Sequence, residues 1–353
     1  MTEEKKDTGM KWVIIADVLI AIVVALLVLA SYIEREAGKI EREKLKDKSY
    51  NVIAKNTKSY DFDLNIKPQN CNDSEGLVDV VLITDSNYME FTKVAIYSAI
   101  ENKCPKSQYN FHIMTMELTP NDITELKKFE TDDVKISVLE QEEIDLFYIR
   151  DTHVSKTALL KYYIPKVLNN LDKVLYIDTD VLVLQDLNKI FATDITDVYL
   201  AAVKDPSWFF ENMHVVELDL DYRGFYFNSG VMLMNLDKMR KDNMIAKLEE
   251  YTNNHYRTYM DQDALNVLVK NDVKLLDVEA NTMNFFFEHN DLKVLADFYE
   301  RDWSSFEDVF SNATIIHFAS NKKPLGALAK KDEFFYMLQK LWYKYYNRYN
   351  SKI

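Results

Sequence analysis

The sequence predicts an α/β domain built on a mainly parallel mixed sheet and preceded by one membrane-spanning helix. Three observations carry this reading. From residue 78 onward, short β-rich apolar runs alternate with amphipathic helical segments. The first run, VDVVLIT (78–84), is almost continuously apolar, as befits a strand buried on both faces. Residues 12–33, WVIIADVLIAIVVALLVLASYI, are apolar except for Asp17, and 22 helical residues at ~1.5 Å each reach the hydrocarbon thickness of a bilayer.

Taken in order, residues 1–11 form a short polar tail and 12–33 the spanning helix. A cleaved signal peptide is the rival, but its apolar region runs only about 7 to 15 residues. Asp17 lies one turn inside, where reaching the headgroups, protonation or a partner helix relieves its cost. Lys5, Lys6 and Lys11 precede the span, whereas Arg35, Lys39, Arg42, Lys44, Lys46 and Lys48 follow it closely. By the positive-inside rule the larger C-terminal part then faces the cytoplasm. A lumenal orientation is the alternative, and the sequons Asn72-Asp73-Ser74 and Asn312-Ala313-Thr314 would permit glycosylation there. Residues 34–76 read as a charged, solvated stalk.

Further strands are expected at 111–116, 134–139, 173–177, 198–203, 227–236, 273–277 and 313–318, and helices at 91–103, 121–130, 156–170, 236–254 and 261–270. No internal repeat or flexible linker interrupts them, so residues 77–330 form one domain, with ligands expected beyond the carboxyl ends of its strands. The tail 331–353 is an aromatic, basic helix with Lys340, Lys344 and Arg348 on one face. It either lies on an anionic membrane surface or docks its aromatics on the domain.

Composition narrows the function classes. The 353 residues include 57 acidic and 43 basic side chains, a net charge of −14, and no stretch supplies the Lys/Arg surplus a nucleic-acid binder needs. Six glycines, six prolines and 48% hydrophobic residues exclude collagen-like and low-complexity chains. Cys71 and Cys104 have neither metal-finger nor redox spacing, and are two free thiols or one bridge.

The chemistry concentrates around KVLYIDTDVLV. Asp178 and Asp180 follow a buried strand, and side chains at i and i+2 of an extended chain share a face. Two converging carboxylates repel each other unless a cation or proton intervenes, and such oxygen donors suit Mn²⁺ or Mg²⁺. Alone the pattern also fits an ordinary turn. His317 ends another apolar run, ATIIHF, where a core histidine is the bland reading and a ligand meeting the two acids across the sheet the sharper one. An imidazole nitrogen would favour Mn²⁺ over Mg²⁺. Lys323 lies within reach of an anion carried by that metal.

The ordered motifs TDSNY, YIDTDVLV, YFNSGVMLMNL, DQDALN and IIHFASNKKP resemble those of glycosyltransferase family 8 over roughly residues 78–326. The resemblance implies a GT-A-like nucleotide-sugar fold, a UDP-sugar donor, Mn²⁺ and retention of anomeric configuration. It implies that Asp85, Asn87 and Tyr88 hold uracil and ribose, that Asp178, Asp180 and His317 ligate the metal with Asp178 also touching ribose, and that Lys323 grips the diphosphate. Lys161 falls where a donor-contacting arginine is usual, keeping the charge without the bidentate fork. Asn228, Asp261 and Gln262 surround the donor sugar, with Gln262 near the reacting carbon.

Ser320 and Leu325 depart from the usual glycine and tryptophan of the last motif, so the loop over the diphosphate is expected to close differently. Asp261 or Asp263 could serve as the carboxylate nucleophile of a double displacement, or could simply cap a helix N-terminus. Gln262 at the reacting carbon favours instead a front-face internal return, in which the leaving phosphate helps deprotonate the acceptor. The expected enzyme is a membrane-anchored hexosyltransferase acting on a glycan or lipid-linked acceptor. The rival is a degenerate nucleotide-sugar sensor or scaffold. Acceptor contacts are expected on the loops at 205–210 and 285–289, with Asp205 either binding an acceptor hydroxyl or forming an Asp-Pro turn.

Overall fold

A computed structural model of the chain describes residues 64–72, 74–141, 156–206, 218, 220, 226–255, 259–270, 272–284, 292–320, 322–329 and 333–352. The apolar span 12–33, most of the stalk, and the loops at 207–210 and 285–289 lie outside the described residues. Among the described residues no helix is long and apolar enough to cross a membrane. By contacts the chain divides into Met1–Asp61 with Leu325–Leu328, and Phe62–Pro324 with Ala329–Ile353. The second unit contains every element below.

Among the described residues ten strands form two sheets. The larger contains β1 (Glu75–Ile83), β2 (Lys106–Thr115), β3 (Val134–Glu140), β4 (Lys173–Ile177), β6 (Leu200–Lys204), β7 (Phe227–Asn235) and β8 (Val273–Leu275), in the spatial order β3-β2-β1-β4-β7-β6-β8. The smaller contains β5 (Val181–Val183), β9 (Thr282–Met283) and β10 (Ile315–His317), in the order β5-β10-β9. In the larger sheet only β7 runs against its neighbours. The apolar run 78–83 is buried throughout, and helix Met89–Glu101, with Phe91, Val94, Ile96 and Ala99 buried, lies against β5 and the C-terminal helix Glu333–Lys352. A parallel crossover of this kind needs both sheet faces covered, which explains the near-continuous apolarity.

The alternation of strands and helices is therefore as the sequence predicts, with three corrections. Residues 156–170 do not form one α-helix: Lys156–Tyr163 is a 3-10 helix, and only Ile164–Val167 is α-helical. The expected helix 236–254 is two, Leu236–Lys241 and Met244–Asn254, separated at Asn243, whose φ of 52° is left-handed. Asparagine tolerates that conformation, so the break is local chemistry hidden beneath a helical period. Strands β5 and β9, with three and two residues, are too short for any periodicity to reveal.

Helix Glu333–Lys352 resolves the choice left open for the tail. Phe335, Leu338, Trp342, Tyr345 and Tyr349 are buried at alternating three- and four-residue spacing, while Lys344 and Arg348 stay exposed. Trp342 packs on Phe91 with ring centroids 5.8 Å apart, and Tyr349 stacks on Phe129 at 5.2 Å. The aromatic stripe is thus covered by the domain.

Cys71 and Cys104 are bridged. Around them the Gln69 side chain donates to the Asn102 carbonyl and accepts from the Asp186 amide, both at 2.6 Å, while buried Asp186 accepts from the Cys104 amide at 2.7 Å and the Tyr109 hydroxyl at 3.0 Å. Residues 69–71, assigned to the stalk by composition, are thereby attached to the domain. Closing a 33-residue separation constrains the unfolded chain by about 3 to 4 kcal/mol. Cys71→Ser is accordingly expected to lower unfolding stability by that order in denaturant titration, and alkylation of the native protein without reductant should modify neither cysteine.

Candidate active site

The edge where β1 and β4 end gathers the acidic motifs. Asp85, just past β1, accepts from the amides of Asn87 (2.8 Å) and Tyr88 (3.2 Å), which fixes the short 3-10 turn Ser86–Tyr88. Asn87 and Tyr88 are exposed there. Although the residue is exposed overall, partial desolvation of the Tyr88 hydroxyl raises its pKa above the usual value, opposed by Lys323 and reinforced by Asp180, Asp85 and Asp178, so this ring shares the electrostatic field of the acid pair.

Asp178 and Asp180 flank the turn from β4 into β5. Strand β10 runs antiparallel to β5 with His317 opposite Val181, and the Phe318 amide donates to the Asp180 carbonyl at 2.9 Å. This small sheet is what carries a histidine distant in sequence to the acids. Its Nε2 lies 3.4 Å from Asp180 Oδ1 and 3.7 Å from Asp178 Oδ2. One donor atom from each of the three residues falls within 4.8 Å of the others, so two carboxylates and an imidazole nitrogen converge as a divalent cation requires. Donors of this hardness suit Mn²⁺ or Mg²⁺.

Cations surround the pair. Lys323 Nζ lies 2.5 Å from Asp180 Oδ2 and donates to the Phe318 carbonyl at 2.8 Å. Burial pushes the Asp180 carboxyl up, but Lys323 and His317 outweigh it, and the net shift is well downward. Burial likewise pushes Lys323 down and Asp180 reverses the sign, leaving its ammonium held above the ordinary value. The Tyr176 hydroxyl donates to Asp178.

On the other side of Asp178, buried Lys161 lies 2.7 Å from Asp261 Oδ2 and 3.3 Å from Asp178 Oδ1, with its Nζ 4.9 Å from the Tyr176 ring centroid. Burial lowers its pKa, yet Asp178 and Asp261 dominate and raise it, so the ammonium stays charged. Removing one partner of such a buried ion pair costs about 3 to 5 kcal/mol. Lys161→Met is expected to lose stability of that order in denaturant unfolding, whereas Lys161→Arg, which preserves charge, should retain most of it.

The remaining predicted residues converge through β7. Because β7 is reversed against β4, its first residues meet the last of β4, and the Asp178 amide donates to the Gly230 carbonyl at 2.7 Å. Asn228 Nδ2 donates to Asp205 Oδ2 (3.1 Å) and Gln262 Oε1 (3.2 Å), and Gln262 Nε2 donates to the same Asp205 oxygen at 3.1 Å. Gln262 Oε1 also accepts from the Ser229 amide at 2.9 Å, and Ser229 Oγ donates to Asp261 at 3.0 Å. Buried Asp263 instead accepts from the Tyr226 hydroxyl (2.6 Å) and the Tyr259 amide (3.0 Å), holding the start of helix Met260–Val269.

The eleven residues to which the family resemblance assigns donor, metal or catalytic roles belong to the segments that meet at this edge. Reading by motif alone missed Asn281, Ser229 and Tyr176. Asn281 is fully buried and contacts both His317 and Asn228. It lies in VEANTM, where neither period nor spacing marks it.

Residues 79–326 match the family model described as Glycosyl transferase family 8. The chain is 25% identical over 281 residues to General stress protein A of Bacillus subtilis (strain 168), spanning 75% of this chain and 95% of that protein. It is 29% identical over 221 residues to a putative glycosyltransferase of Haemophilus influenzae, spanning 61% of this chain and 65% of that one. It is 26% identical over 274 residues to the lipopolysaccharide 1,2-glucosyltransferase of Escherichia coli (strain K12), spanning 76% and 77%. The fold is shared with the crystal structure of the galactosyltransferase LgtC in complex with donor and acceptor sugar analogs, at a TM-score of 0.62 and 22% identity over 77% of this chain and 96% of that one. Fold and matched motifs together define a sugar-transferring enzyme. The chain belongs to glycosyltransferase family 8.

Proposed function

We propose that this glycosyltransferase moves a hexose from a UDP-sugar to a glycan or lipid-linked acceptor with retention of configuration, using Mn²⁺ held by Asp178, Asp180 and His317. The observation that carries the reading is the convergence of those three donors, with Lys323 beside them. A divalent cation at this place stabilises the negative charge left on the diphosphate when the glycosidic bond breaks. Lys323 adds its ammonium to the same leaving group, and Asp85, Asn87 and Tyr88 hold the nucleoside at the adjoining edge.

The geometry around Gln262 supports front-face return over double displacement. Its oxygen already accepts two hydrogen bonds, Asp261 is held by Lys161 and Ser229, and Asp263 by Tyr226 and Tyr259. Each nearby nucleophile is thus engaged in positioning other groups. Asp205, tied to Asn228 and Gln262, borders the acceptor side.

Residues 12–33 anchor the enzyme in a membrane in this reading. The Cys71–Cys104 bridge supports placing the domain on an oxidising side, the lumenal alternative, because reducing cytosol opposes such bridges. Purified full-length enzyme with Mn²⁺ and a panel of UDP-sugars should release UDP slowly without acceptor, and chelation should stop the release. A folded protein that neither binds nor turns over any of these donors would sink the proposal.

A further inference from the structure

We infer that Asn281 is a positioning residue that fixes which nitrogen of His317 carries the proton, and so keeps Nε2 available to a cation. The inference rests on the metal-site reading above. It begins at a group that cannot turn around. The backbone N–H of Gly230 can only donate, and it points at the Asn228 side chain at 3.0 Å, so the atom it meets is the Asn228 oxygen. The opposite end of that amide faces the Asp205 carboxylate, consistent with its being the NH₂ group.

The orientation then propagates. Asn281 contacts the same Asn228 oxygen at 2.9 Å and must present its own NH₂. Its carbonyl oxygen is thereby turned to His317 Nδ1, 3.0 Å away, and accepts a hydrogen bond there. A neutral imidazole with its proton on Nδ1 has its lone pair on Nε2, the nitrogen that faces Asp178 and Asp180. Asn281 and His317 are both buried, so water does not readily substitute for the missing partner. The result is a relay of two amides from a fixed backbone donor to a metal ligand, linking the sugar side of the site to its metal side.

The test uses full-length protein labelled with ¹⁵N-histidine, in which His317 is one of six histidines and is assigned by its loss in His317→Gln. In metal-free wild type, at a pH where the ring is neutral, the proton should sit on Nδ1. Asn281→Asp keeps an acceptor toward His317 and should retain that tautomer. Asn281→Leu removes it, should shift protonation toward Nε2, and should weaken Mn²⁺ binding, read by Mn²⁺ electron paramagnetic resonance, by about 10- to 100-fold. Saturating Mn²⁺ should then restore turnover to within a few-fold of wild type, which a collapsed site would not allow. A proton on Nε2 in wild type overturns the inference whether or not Asn281→Leu folds. Unchanged tautomer and Mn²⁺ affinity in a folded Asn281→Leu also overturn it. A wild-type protein that shows the Nδ1 tautomer but binds no Mn²⁺ refutes the metal reading and leaves the tautomer assignment standing.

Discussion

Gly230→Ala should abolish most Mn²⁺-stimulated UDP release while leaving a folded protein. A methyl group built at Gly230 would lie 2.2 Å from His317 Cε1, 2.8 Å from Asp178 Oδ2 and 2.9 Å from His317 Nδ1. Real contacts of that length do not exist, so either the imidazole or the β7 backbone must yield. The imidazole is held by Asn281 and the backbone by β4, which leaves no inexpensive escape. Overpacking of this kind costs about 1 to 3 kcal/mol in stability. Displacing a ligand by an ångström or so disrupts the site far more than the fold, on the order of 10²-fold in rate. Circular dichroism and thermal unfolding would establish the fold, and Mn²⁺ titration of UDP release the loss. An alanine variant with unaltered Mn²⁺ dependence would show that His317 does not pack against this strand.

Asp180→Ala should cost still more. It deletes one converging carboxylate and simultaneously strips Lys323 and His317 of their shared anionic partner. If the cation supplies several kcal/mol of transition-state stabilisation, its loss corresponds to roughly 10² to 10⁴ in rate. Asp180→Asn preserves shape and should be nearly as impaired, because an amide is a poorer ligand and does not balance the lysine. Steady-state UDP release at saturating donor measures both. Turnover within a few-fold of wild type in either variant would place the reaction outside this cluster.

Much of the fold was legible because burial leaves a continuous signature. Residues 78–83 and 173–177 lie in buried strands, and their apolarity shows without any knowledge of partners. The acid pair and His317 were legible as residue types beyond strand ends, but their meeting was not. It depends on β5 and β10, two three-residue strands paired in antiparallel register. The close approach of the His317 ring to Gly230 emerges only from the folded chain. Asn281 was invisible because an amide's role is set by three-dimensional neighbours. Lys161 was legible by its motif position, whereas its ion pair with Asp261, a hundred residues away in sequence, was not.

The reversed strand β7 restricts how this enzyme can diversify. Asn228, Ser229 and Gly230 are consecutive, yet each serves a different client: the first Asp205, Gln262 and Asn281, the second Asp261, and the third His317. Inserting or deleting one residue before β4's partner register would rotate these assignments and invert the faces of the strand. A change that spares these contacts must therefore fall outside the tripeptide, whose register with β4 tolerates no shift in length.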